Sequence, residues 1–391
     1  MTYLDHAATT PMLAESIAAM SAELAQVGNP SSLHSSGRRA RKVVEESREI
    51  LAAALGARPI EVIFTGGGTE ANNLAVKGLF WAAQQKDKNK KRVLVSAVEH
   101  HAVLDPVMWL GEHEGADVEI LPVDYSGRVL PETLRKAFEK NPDDVALVTV
   151  MWANNEVGTV QPIAELVKIA HEYKTVFHSD AVQAVGCLEV HFQNTDLDAM
   201  TVSGHKVGGP QGIGALVVKR DIELTPLLHG GGQERDVRSG TLAAPSIAGF
   251  AAATTTAVSQ SVSRAARLSS LRKDLVKRIQ EQIPDVVLNG DPENRLPGNA
   301  HFSFKGCEGD ALLMLLDAQG IECSTGSACS AGIPQPSHVL LAMGRDEITA
   351  RASLRFSFGA TSTPDDVDAV MQVLPAIVER AKRAGKPAVA K

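Results

Sequence analysis

Residues 176–214 constrain this chain most. They open on a short apolar run that ends in Ser179-Asp180 and continues Ala181-Val182-Gln183. A second apolar run, residues 197–202, ends in Ser203-Gly204-His205-Lys206, and the glycine-rich passage 208–214 follows at once. Apolar runs that stop in polar groups read as buried parallel strands that present side chains at their carboxyl ends. The same pattern recurs upstream. Strands are expected over residues 61–64, 93–98, 118–123 and 145–150, with helices over 71–84 and 163–172 between them. Alternating strands and helices predict an α/β fold, with a mostly parallel sheet and a ligand at the strands' carboxyl ends.

Beyond residue 286 the pattern changes. Short strands (286–288, 300–304) mix with helices (309–319, 364–383), as expected of a smaller α+β domain. A continuous helical stretch over 244–282 bridges the two patterns. A chain of 391 residues suits two domains. We expect a large domain over 15–260. Residues 1–14 and 261–391 form the small one, and residues 1–14 are too few to fold alone.

Composition excludes several classes. A net charge of -7 argues against nucleic acid as a direct partner, and the basic run 86–92 reads as a solvated turn. No apolar run approaches the roughly 18 residues of a membrane span. The first residues lack a basic segment followed by an apolar one, so cytoplasm is the expected location. The cysteines, Cys187, Cys307, Cys323 and Cys329, form no Cys-x-x-Cys pair and are too few for a disulfide framework.

The chemistry starts at Lys206. Flanked by His205 and glycines, its amine is open to a carbonyl partner. Desolvation and nearby cationic groups can lower its pKa and make it a nucleophile. Asp180, one strand away, is the acid a pyridinium nitrogen needs. The pair points to pyridoxal phosphate. Upstream, Thr65-Gly66-Gly67-Gly68-Thr69-Glu70 joins a strand to a helix, an arrangement that cradles phosphate on free N–H groups. The competing reading is a plain tight turn with Thr69 as helix cap. His100, after a strand, could stack on a flat ring or merely cap a loop. Asn154-Asn155 suits either a ligand or turn chemistry.

The polar loop 228–241 offers Arg235, Arg238 and Thr241 as anion contacts, and must be disordered or held by a ligand or a partner subunit. Cys329 sits among small residues and glycines on a loop spanning about 324–337. There a thiol can serve as nucleophile or as metal ligand, or be incidental. Cys187 and Cys307 read as structural. Arg355, inside the alternating strand 352–359, needs an anion, either a substrate carboxylate or a structural carboxylate.

Taken together, Ser203-Gly204-His205-Lys206, residues 180–183, the Gly-Gly-Gly-Thr-Glu turn, Arg238-Ser239-Gly240-Thr241 and Gly326-Ser327-Ala328-Cys329 resemble the cysteine desulfurases of the class V aminotransferase superfamily. The longer loop from Cys329 to Leu340 is similar to the branch that feeds iron–sulfur cluster assembly. The resemblance implies the fold type I architecture of pyridoxal-phosphate enzymes, L-cysteine as substrate and L-alanine as product. It implies that Lys206 carries the cofactor, Asp180 pairs with its ring nitrogen, His100 stacks on the ring and Gln183 bonds the ring oxygen. Gly68, Thr69, Ser203 and His205 would hold the phosphate, and Thr241 the phosphate of a homodimer partner. Asn155 and Arg355 would bind the substrate carboxylate. Cys329 would take the sulfur as a persulfide for an acceptor or scaffold protein, and is also the candidate iron–sulfur ligand.

Overall fold

The computed structural model describes residues 1–326 and 335–384. Its strands, in chain order, are β1 (Thr2–Tyr3), β2 (Val62–Thr65), β3 (Arg92–Ser96), β4 (Asp117–Leu121), β5 (Val145–Thr149) and β6 (Val176–Asp180). They continue with β7 (Ala199–Ser203), β8 (Gly214–Val218), β9 (Val286–Asn289), β10 (Asn299–Phe304), β11 (Ile321–Glu322) and β12 (Ser353–Ser357).

Seven strands form one sheet in the order β2-β8-β7-β6-β5-β3-β4. The run from β7 to β4 is parallel, and β8 is antiparallel to both of its neighbours. The strands read as unbroken apolar runs because both faces are covered. Leu94, Val148, Phe177 and Met200 pack into a core on one face. Val93, Val95, Leu147 and Ala199 pack into another on the opposite face, against helices Gly68–Lys86 and His101–Glu114. Buried on both sides, the sheet leaves its carboxyl edge as the place for chemistry.

The second sheet is antiparallel, β12-β10-β9. Phe302, Phe304 and Phe356 anchor its core against helices Ser261–Gln282, Gly309–Asp317 and Pro364–Ala384. Leu4 joins that core, and β1 pairs in parallel with β11 through Thr2↔Ile321 and Tyr3↔Glu322. The chain's first residues thus pair into a separate two-stranded sheet beside the core of the antiparallel one.

Two expectations change. The helical stretch 244–282 is two helices, Ala244–Ser259 and Ser261–Gln282, meeting at Gln260. Hydroxyls there compete for backbone carbonyls: Ser259 Oγ donates to Thr256 O and Ser263 Oγ to Gln260 O, a pattern that bends or ends helices. The loop 228–241 is held by its own chain. Glu234, 1% exposed, accepts from Arg48 Nη1 at 2.7 Å and Nη2 at 2.6 Å, and from Phe64 N at 2.9 Å. Arg238 Nε donates to Glu70 Oε1 at 2.8 Å, so its anion is a carboxylate of this chain. Among the described residues no helix is long and apolar enough to cross a membrane.

Candidate active site

A cavity of about 350 Å³ opens at the carboxyl edge of the large sheet. The neighbouring strands β6 and β7 deliver Asp180 and Ser203 to it, and the turn after β7 delivers His205 and Lys206. Gly68, Thr69, His100, Asn155, Gln183 and Arg355 reach it from other elements. Ten of the residues singled out in the sequence therefore share one cavity. Thr241 is exposed and lies outside it. Cys329 lies outside the described residues, although Ser324 and Gly326, just before it, line the same cavity.

Lys206 Nζ donates to Ala7 O at 2.6 Å and Ala8 O at 2.8 Å. Burial, and then the charge of Arg355, pull its pKa from 10.5 down to about 8. About a tenth of the amine is then unprotonated at pH 7, far more than for an ordinary lysine, and a nucleophile requires that form. Asp180 Oδ1 accepts from Val182 N at 2.9 Å, and Oδ2 accepts from Asn72 Nδ2 at 2.6 Å. Those bonds fix the plane of a carboxylate that faces the cavity.

The glycine turn works as a cradle. Gly67 precedes the helix Gly68–Lys86 with φ 148°, and no side chain caps that end. At Gly68 a Cβ would meet Val182 Cγ2 at 3.2 Å and Ser203 Cβ at 3.3 Å. An uncapped 19-residue helix opening on a wall this close leaves backbone N–H groups for an anion. The expected cap at Thr69 is not formed, since Gly67 occupies the cap position.

His100 caps the next helix and also borders the cavity, its Nδ1 accepting from Ala102 N at 3.0 Å. Burial, then Lys206 among its charged neighbours, lowers its pKa, so the ring is neutral with its proton on Nε2. His205 is likewise lowered, to about 4, by burial and then Lys206. The asparagine pair divides its labour. Asn154 is turn chemistry, its Oδ1 accepting from Glu156 N and Val157 N, whereas Asn155 lines the cavity. Arg355 is 4% exposed, and the carboxylate it meets is one of this chain's own. Its Nη2 donates to Asp5 Oδ1 at 2.6 Å and its Nη1 to Asn155 O at 2.8 Å, yet the side chain still borders the cavity.

Sequence reasoning missed several participants. Asn72 stands behind Asp180. Ala7 and Ala8 offer only backbone carbonyls, which no residue type announces. Glu99 is fully buried, with its pKa raised well above the carboxylate range by burial, and its Oε1 accepts from Met151 N at 2.6 Å. His338 lines the cavity from beyond the cysteine loop.

A lysine of lowered pKa, a fixed carboxylate on the adjacent strand and an uncapped helix end define a pyridoxal-phosphate site, and the residues present fit that group. The class-V aminotransferase profile matches residues 2–370, and the chain belongs to that family of pyridoxal-phosphate enzymes. It is 58% identical over 385 residues to an IscS-like cysteine desulfurase of Mycobacterium tuberculosis, covering 98% of each chain. It is 44% identical over 379 residues to the cysteine desulfurase IscS of Dictyoglomus turgidum, covering 97% of this chain and 94% of that one. Among solved structures, a NifS-like protein superposes with a TM-score of 0.89 at 33% identity, covering 97% of this chain and 100% of the other. A structure described as SspA in complex with cysteine gives 0.78 at 34% identity, over 92% and 99%.

Proposed function

We propose that this protein is a cysteine desulfurase that converts L-cysteine to L-alanine and passes the sulfur, as a persulfide on Cys329, to acceptor proteins such as those that assemble iron–sulfur clusters. The observation that carries this reading is the single cavity in which Lys206, Asp180, His100 and Arg355 meet Gly326, the last described residue before the cysteine loop. In it, the functional division falls between residues 15–260, which hold the cofactor, and residues 1–14 with 261–391, which bring the thiol. The protein works as a cytoplasmic homodimer, with Thr241 serving the partner's phosphate site. Cys329 is the candidate for any iron–sulfur ligation.

When bound, pyridoxal phosphate supplies an electron sink at the substrate's α-carbon. Asp180 keeps the ring nitrogen protonated, with Asn72 and Val182 N holding its carboxylate in place. The helix end at Gly68 and Thr69, with Ser203 and His205, receives the phosphate, and Gln183 bonds the ring oxygen. Arg355 and Asn155 orient the substrate by its carboxylate. Lys206 would hold the cofactor and serve as the base that takes the α-proton onto Nζ, for which a pKa near 8 suits it. His100 would stack on the ring, with its Nε2 left to exchange protons. The Cys329 thiolate attacks the substrate sulfur; a sulfur–sulfur bond forms as the Cβ–S bond breaks, and protonation of the remaining skeleton yields L-alanine.

The test is release of alanine from L-cysteine with a thiol reductant, together with mass detection of a persulfide on Cys329. Cys329→Ser should abolish the persulfide and steady turnover. Full activity in that variant would point to an aminotransferase of the same fold. Turnover of selenocysteine alone would point to a selenocysteine lyase.

A further inference from the structure

His338 is the first residue of the short helix His338–Ala342 and lines the same cavity as Lys206, His100 and Arg355. Its ring is fixed from more than one side. The preceding Ser337 Oγ donates to Glu156 Oε2 at 2.5 Å and accepts from Leu340 N at 3.2 Å, which pins the start of the helix. The imidazole meets His101 edge-on, with centroids 5.1 Å apart and planes at 62°. Its Nε2 lies 2.9 Å from Glu99 O. A carbonyl oxygen can only accept, so the proton is on Nε2 and the neutral ring carries its lone pair on Nδ1.

Among the described residues, Nδ1 has no hydrogen-bond partner. His100 has the opposite arrangement: its Nδ1 is used by Ala102 N, and its Nε2 carries the proton. Of the four imidazoles lining the cavity, His100 thus keeps an N–H donor unused and His338 a lone pair. L-cysteine presents a carboxylate, an amine and a thiol. Arg355 matches the carboxylate, and the cofactor site at Lys206 takes the amine. The remaining group is a weak S–H donor, which a free lone pair on a ring nitrogen can accept.

We propose that His338 is a specificity-determining residue whose Nδ1 accepts a hydrogen bond from the thiol of the substrate and so holds the sulfur in place for transfer. No bond to sulfur forms or breaks in this contact. The proposal rests on the desulfurase reading above.

The experiment uses the full chain loaded with cofactor, in a Cys329→Ala background so that L-cysteine binds without losing its sulfur. Dissociation constants for L-cysteine and for L-alanine are read from the change in the visible absorbance of the bound cofactor. His338→Gln keeps an amide donor for Glu99 O and removes the acceptor at Nδ1. It should weaken L-cysteine about 3- to 10-fold, as expected for one hydrogen bond, and leave L-alanine unchanged. His338→Asn places an amide oxygen where Nδ1 stands and should recover most of that loss. Equal weakening of both ligands, or no change in either, would overturn the proposal. Failure of the unsubstituted enzyme to release alanine from L-cysteine is a separate result, which would remove the functional reading and this inference together.

Discussion

Replacing Lys206 with methionine should change how the stability of the cofactor-free protein depends on pH. In the folded chain the amine's pKa falls from 10.5 to about 8, chiefly through burial. Below pH 8 both states carry the proton, and folding bears the full cost of enclosing an ammonium. A shift of this size corresponds to roughly 3 kcal/mol. As pH rises from 8 towards 10.5, the folded state loses its proton before the unfolded chain does. The unfolded state then binds more protons, so stability attributable to this group increases with pH. Lys206→Met removes that slope. It also removes the donor to Ala7 O and Ala8 O, a loss that shifts the baseline and depends little on pH. Guanidinium unfolding of both proteins should therefore show wild type gaining about 2 kcal/mol on the variant between about pH 7 and pH 9.5. A gap that stays constant over that range would refute the claim that the amine is buried at a cost. A gap that moves the other way would mean Lys206 gains a charge partner on folding.

Other outcomes follow from the same contacts. Glu234→Ala strips a buried Arg48 of both Glu234 oxygens, leaving it as carboxylate partner only Glu45 Oε2 at 3.1 Å on Nε, and should lower stability by about 3 kcal/mol in urea unfolding, whereas Arg48→Met with Glu234→Leu should cost far less. Asn72→Leu removes the 2.6 Å bond to Asp180 and should weaken cofactor binding roughly 10-fold, measured by dialysis and absorbance, with little change in the unfolding midpoint of the cofactor-free chain.

Much of the site was legible because its residues sit where strands end. Periodicity located β6 and β7, and the polar groups just beyond their apolar runs are Asp180, Ser203, His205 and Lys206. Gly68 and His100 were readable for the same reason. The contacts that fix them were not. Arg355 finds Asp5 across 350 positions, and Arg48 finds Glu234 across 186. Local patterns report which face is buried, not which distant loop covers it. For this reason the loop 228–241 looked ownerless in sequence and proved to be clasped by its own chain. The break at Gln260 was hidden because its neighbours are ordinary helix residues, and only the serine hydroxyls bonded to the backbone give it away.

The first ten residues have a consequence out of proportion to their size. Through backbone carbonyls alone, Ala7 holds both Lys206 and Gln183, and Ala8 holds Lys206 again. Asp5 holds Arg355, Thr9 meets His205 at 3.3 Å, and β1 zips onto β11, the strand that leads into the cysteine loop. Four of the groups proposed to touch cofactor or substrate, Lys206, Gln183, Arg355 and His205, lean on this strip, although it contributes no catalytic side chain. A deletion of residues 2–9 would leave each reactive residue in the sequence and take away the fixture that aligns them. Side-chain scanning would miss this, because what the strip supplies is mostly main chain.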